Sequence, residues 1–119
     1  MKLTELHSDN RGQIFLLTED LQHPEFTIFT TKAGLARGGC IHNKSTEYVC
    51  VIAGEIEYTL PDKTIYMTTG DTLTIPPATQ HYFISRTDSV VAEWGATSEE
   101  KKEKYPQYRA IVEKINNNA

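Results

Sequence analysis

Four side chains able to bind a metal stand at spacings that short β-strands would bring together. Gly34 is followed after five residues by Cys40, Ile41 and His42, then after four by Glu47 and after six by Gly54. Further on, Gly70 is followed after five residues by Pro76, Pro77 and Ala78, and after two more by His81. Side chains alternate along a strand, so Cys40 and His42 share a face. Glu47 belongs to the next strand and His81 to a third, so the four donors can converge on one point inside a barrel. Thiolate, imidazole and carboxylate are ordinary ligands of divalent metals, which makes Cys40, His42, Glu47 and His81 the candidate ligands. Glu47 shares its parity with Val49 and Val51 on an otherwise apolar strand. A lone buried carboxylate is costly, so it needs a metal or a basic partner.

The elements that would position these groups are strands. Runs rich in Ile, Val, Thr, Tyr and Phe cover residues 13–17, 26–31, 47–52, 55–60, 64–67, 72–75, 81–85 and 90–94. Turn-forming residues separate them: Asp9-Asn10-Arg11-Gly12, Ala33-Gly34, Ala53-Gly54, Pro61-Asp62-Lys63, Gly70-Asp71 and Pro76-Pro77. Many short strands at this spacing indicate a sandwich or closed barrel. The C-terminus changes character. Thr97 to Glu100 reads as a capping box, Pro106 is expected to end a first helical piece, and Tyr108, Ile111, Val112 and Ile115 then recur as an apolar helical stripe that packs on the barrel. The expected layout is a single domain over residues 1–119, with a barrel over about 1–96 and a helical segment over about 98–116.

Composition sets bounds. A chain of 119 residues fits one domain and can bury a modest core without staples. With 16 acidic against 12 basic residues the net charge is −4, which argues against a nucleic-acid partner. No apolar run approaches the ~18 residues of a membrane span, and residues 1–10 lack the apolar stretch of a secretory signal. The expected location is therefore the cytoplasm, with Cys40 and Cys50 as free thiols.

The two spaced segments resemble the paired motifs of the cupin superfamily, G-x5-H-x-H-x3,4-E-x6-G and G-x5-P-x-G-x2-H-x3-N. Three positions differ: Cys40 replaces the first His, Ala78 the Gly and Ser85 the final Asn. The resemblance implies an all-β fold, a cupin or jelly-roll β-barrel of antiparallel strands, here with a short C-terminal helical segment. Asp9-Asn10-Arg11-Gly12 and Arg37-Gly38-Gly39-Cys40-Ile41-His42 are in turn similar to small cupins that epimerise or isomerise dTDP-4-keto-6-deoxyhexoses, and to zinc-bearing cupin domains of capsular sugar biosynthesis. By that resemblance Arg11 and Arg37 would hold a nucleotide or its phosphates, a task suited to the planar guanidinium fork.

The implied activity is that of a metal-binding nucleotide-sugar isomerase or epimerase. A divalent metal would polarise a sugar ketone, with zinc the first choice and iron, manganese or nickel the alternatives. His42 or His81 would move the proton. A metal-dependent oxygenase and a non-catalytic binding or sensing cupin are the competing readings. The partners implied are a small molecule and a second copy of the chain, since small cupins pair and residues 26–31 carry apolar side chains on both faces. Tyr58 and Tyr66 are candidates to line the substrate pocket, with core packing as the alternative. Phe83 should form an apolar wall and Trp94 should be core. Tyr48 and Cys50 should face away from the site, and His7 and His23 should lie at the surface. Residues 101–104 should form a solvated helix face.

Overall fold

The computed structural model describes residues 2–18, 26–96 and 103–118. Two antiparallel sheets face one another. The first is formed by β1 (Lys2–Asp9), β2 (Gly12–Thr18), β3 (Phe26–Thr31), β10 (Ser89–Trp94), β5 (Glu47–Ala53) and β8 (Thr72–Ile75), in that order. The second runs β11 (Glu103–Lys104), β4 (Ala36–Ile41), β9 (His81–Ser85), β6 (Glu55–Leu60) and β7 (Lys63–Thr68). The core between them takes the inward-facing alternate residues of each strand: Val49 and Val51 from β5 and Val91 from β10 meet Ile56 and Tyr58 from β6 and Phe83 from β9. Alternation along the strands thus does what the sequence pattern requires of it.

The one helix among the described residues, α1 (Pro106–Asn117), lies on the outer face of the second sheet. Val112 is fully buried there against Ala36 and Tyr82, with Tyr108 and Ile115 beside it. Three residues of the expected stripe, Tyr108, Val112 and Ile115, therefore pack on the barrel, whereas Ile111 is exposed. Asn116 ties the helix to β4 through both ends of its amide: Oδ1 accepts from Ala36 N at 2.8 Å, and Nδ2 donates to Ala36 O at 3.1 Å.

Three expectations need correction. Pro106 begins the helix instead of ending one, because at the first turn its missing N–H has no partner to lose. Glu103 and Lys104 are not a helix face but a short strand that pairs with Ile41 and Cys40 and covers the edge of β4. Trp94 is not core: it stands on the outer face of the first sheet, stacked on Tyr48 at 5.8 Å and beside Phe26 at 5.4 Å. The capping box at 97–100, residues 101–102 and His23 lie outside the described residues. The strand at 26–31 is interior, paired on both sides by β2 and β10, so it offers a second copy a face and not an edge.

One irregularity matters for the site. Pairing of β4 with β9 runs Arg37 opposite Phe83 and Gly38 opposite Tyr82, then skips a residue so that Cys40 stands opposite His81. Strict alternation would turn Arg37 and Cys40 to opposite faces. The extra residue at Gly38–Gly39 puts both on the inner face. Such a bulge needs residues tolerant of positive φ, and the two glycines have φ of 114° and 88°.

Candidate metal centre and ligand cavity

Glu47 opens β5, His81 opens β9, and His42 follows β4 by one residue. His42 is held by its backbone, whose carbonyl accepts from Ala78 N at 2.8 Å across the Pro76–Pro77 turn. Ala78 adopts φ 59°, the conformation for which glycine is the usual choice. The ligand atoms of His42, Glu47 and His81 all lie within 4.8 Å of one another, and Glu47 and His81 are only 6% and 5% exposed. Glu47 Oε1 sits 2.5 Å from His42 Nε2 and 3.4 Å from His81 Nε2.

This arrangement suits a cation. His81 Nδ1 lies 2.8 Å from the carbonyl oxygen of Thr79, and a carbonyl can only accept. The Nδ1–H tautomer follows, which leaves the Nε2 lone pair facing the Glu47 carboxylate. Two acceptors turned toward each other require a proton or a metal between them. The Thr79 carbonyl is the outer contact that orients a metal-ligating histidine. Burial pushes the Glu47 pKa up, but the hydrogen bonds from His42 and His81 outweigh it and hold the carboxyl at about 2. Burial acts against protonation of His81, yet Glu47 raises its pKa above the usual histidine value.

Cys40 is placed differently from the expectation of four ligands. It lines the same cavity, but it is not a member of the three-residue group. Cys40 and Cys50 are both free thiols. Tyr48 is exposed on the outer face, the side expected for it and for Cys50.

The cavity measures about 200 Å³ and gathers residues from both sheets and the helix. Phe83 forms one wall, as expected, packed edge-on to Phe29. Tyr58 is buried in the lining, and its OH donates to Glu93 Oε1 at 2.7 Å. Burial, then Glu93, raises the Tyr58 pKa far above its normal value, so the phenol keeps its proton. Tyr66 is elsewhere. It has the opposite parity to buried Met67 on β7, so it is 73% exposed and belongs to a separate depression bordered by Glu55, Asp71 and Arg86. It does not line the cavity.

Both sequence-predicted arginines reach the cavity. Arg11 is clasped by Asp9, with Nε and Nη2 on Oδ2, and its Nη1 donates to Ala36 O at 3.2 Å. Asp9 is accordingly held far below the usual carboxylate range by Arg11. Arg37 is 3% exposed, and its Nε and Nη2 donate to Thr31 Oγ1 and Thr30 O. Burial, then the charge of Arg11, lowers its pKa to about 10, and it remains a cation at neutral pH. His7 is exposed and bonded to Asp9.

Sequence reasoning missed Glu93 and Arg109, both of which line the cavity. Glu93 carried a usable signal, since it shares parity with buried Val91 just as Glu47 does with Val49. Arg109 carried none, because its position depends on where α1 docks.

The profile described as "Cupin domain" matches residues 28–97. No curated protein matches the chain. Among solved structures the chain is similar to the capsular polysaccharide assembling protein CapF of Staphylococcus aureus, with 18% identity and TM-score 0.64 over 82% of this chain and 29% of that one. It is also similar to oxalate decarboxylase of Lactobacillus farciminis in a formate complex, with 18% identity and TM-score 0.73 over 92% of this chain and 35% of that one. The Bacillus subtilis oxalate decarboxylase, in a structure concerned with its Mn(II) centres, gives 18% identity and TM-score 0.70 over 87% and 30%. At such identities the likeness is one of fold, and the chain spans about a third of the length of these neighbours.

Proposed function

This chain belongs to the cupin domain family, and from that premise we propose that it holds one divalent metal on His42, Glu47 and His81 and acts as an isomerase or epimerase on a keto-sugar nucleotide. The observation that carries the reading is the convergence of two imidazoles and a buried carboxylate in a cavity that arginines also line. When bound, the metal supplies Lewis acidity toward a ketone oxygen, and zinc remains the first choice for it. The cavity lies below the ~300–1,000 Å³ usual for a whole drug-sized ligand. It takes the sugar-sized reacting end and the phosphates beside it, while the nucleoside lies outside.

The residues divide the work accordingly. Arg37 and Arg11 hold phosphate oxygens, Arg37 with the stronger claim because Asp9 already occupies Arg11. Phe83 and Phe29 supply the apolar wall. The Nε2 atoms of His42 and His81 face Glu47 and serve the metal, which leaves proton movement to Glu93, steadied by the Tyr58 hydroxyl. The capsular polysaccharide protein among the structural neighbours supports the sugar reading, and the Mn(II) centres of another support a metal.

Elemental analysis of the purified protein, joined to a thermal-shift panel of dTDP- and UDP-sugars, tests the proposal. The expected result is about one zinc per chain and a rise in melting temperature with at least one nucleotide sugar. Protein free of metal and indifferent to every nucleotide sinks it. A second reading has one observation in its favour: with Cys40 outside the group, two histidines and one carboxylate form the set common to iron-dependent oxygenases. Bound iron together with oxygen uptake in the presence of a candidate substrate would establish that reading in place of the first.

A further inference from the structure

We propose that helix α1 is part of the ligand site, and that Arg109 on it forms with Arg37 a two-guanidinium clamp for a diphosphate group. The proposal rests on the reading of the cavity as the site of a phosphate-bearing small molecule. It adds to that reading a residue that lies outside the 28–97 family match.

The placement of Arg109 is fixed by its neighbours. Tyr108, Val112 and Ile115 seat α1 on the second sheet, and Asn116 pins it to Ala36. Between these anchors Arg109 crosses the edge of β4 directly over the two glycines. A Cβ at Gly39 would lie 2.8 Å from Arg109 Cδ and 3.0 Å from Arg109 N, so only glycine lets the helix come this close. The guanidinium then reaches the cavity, with Nη1 donating to Gly38 O at 2.7 Å. Gly38 follows Arg37 on β4, and the side chains of Arg37 and Arg109 line the same cavity, one from the strand and one from the helix.

Their charges are poorly matched within the protein. Among the described residues Arg37 donates to uncharged oxygens, Thr31 Oγ1 and Thr30 O, and it lies over the Phe29 ring at 5.8 Å. Arg109 pairs with Glu113 at 3.8 Å, an exposed side chain on the same helix, and such a pair is weak in water. Arg11, by contrast, is held tightly by Asp9. With a divalent metal on the trio, the cavity carries an excess of positive charge inside a chain of net charge −4. Neighbouring cations in a partly buried site favour an anion that both can reach. Two forks lining one cavity suit two adjoining phosphates better than a single carboxylate.

The test uses metal-replete protein and calorimetric titration with dTDP, and with inorganic pyrophosphate as the anion alone, at low and high salt. Arg109→Gln should weaken dTDP binding roughly ten-fold, the scale of one charge-assisted contact, and should flatten the salt dependence. Pyrophosphate should weaken by the same factor, which assigns the loss to the anion and not to the base. Arg109→Lys should keep the salt dependence while losing part of the affinity, and it stands in should Arg109→Gln fail to fold. Asn116→Ala, which loosens the helix without removing charge, should lower the melting temperature yet leave affinity within about two-fold. A parent that binds both probes and an Arg109→Gln variant that binds equally well overturns the clamp alone. An Arg109→Gln variant that loses affinity without flattening the salt dependence also overturns it, because the loss is then one of helix docking and not of charge. A parent that binds neither probe overturns both the clamp and the phosphate reading beneath it.

Discussion

The same strands build two unlike halves of the barrel interior. On β5 the inward residues run Glu47, Val49, Val51; on β10 they run Glu93, Val91; on β9 they run His81, Phe83, Ser85. At one end they are charged and converge on a cavity. Two residues further along they are apolar and fully buried. Even the buried polar pair at the far end, Ser85 and Ser89, is self-satisfied, its hydroxyls 2.6 Å apart. At the cavity end, two imidazole nitrogens converge on one buried carboxylate oxygen. The apolar half thus serves as a rigid floor that fixes strand positions, and the polar half spends that rigidity on an arrangement that needs a cation to complete it.

The largest expected effect breaks the polar half alone. Glu47→Gln should weaken metal binding by about 100-fold or more, since it removes the only carboxylate of the trio. Metal retained after dialysis against a chelator measures this, and full retention would rule Glu47 out as a ligand. The complementary change lies in the floor. Ile56→Ala, at a site 1% exposed, should cost about 2–5 kcal/mol in denaturant unfolding while metal stoichiometry stays at the parent value. If both changes destroyed metal binding equally, the two halves would not be separable.

A third effect is expected from pH. Without metal, Glu47 titrates near 2 in the fold against 4.5 unfolded, so its contribution is complete above pH 4.5 and is lost as pH falls toward 2. His81 is raised above 6.5, so its contribution is present below that value and is lost as pH climbs through the folded value. The metal-free protein should therefore melt highest between pH 4.5 and 6.5. Metal competes with these protons, so its stabilising increment should grow as pH rises through neutrality. Melting curves with and without chelator across this range check both trends.

How much of this was legible beforehand depended on where each residue gets its role. Strands 26–31, 55–60, 72–75 and 81–85 stand where their apolar and β-branched runs place them. β1 was invisible because an outer strand with exposed polar side chains shows no alternation. The trio was readable because its spacing is strand spacing. Tyr66 was misjudged for want of the parity of Met67, and Pro106 because a proline that halts a helix also starts one. Arg109 could not be reached at all, since only the docking of α1 brings it to the site.

The smallest expected effect sharpens the boundary of the polar half. Cys40 lines the cavity but stands outside the trio, and Cys50 lies beyond Glu47 on the other parity. Cys50→Ser should leave metal content unchanged, and Cys40→Ser should shift metal affinity by less than about ten-fold. A complete loss of metal in Cys40→Ser would instead extend the site to four ligands.

The skipped residue at Gly38–Gly39 acts as a half-wavelength shift written into β4. Upstream of it, inward positions carry the opposite sequence parity from those downstream. Deleting either glycine would restore uniform phase and rotate Arg37 toward the helix and Ala36 toward the cavity, with no change in composition apart from one hydrogen-sized side chain. Arg37 and Cys40 can thus vary as separate inward positions on a strand too short to offer them both by ordinary alternation. Lengthening or shortening this strand by one residue would then be a larger functional event than replacing most of the side chains on it.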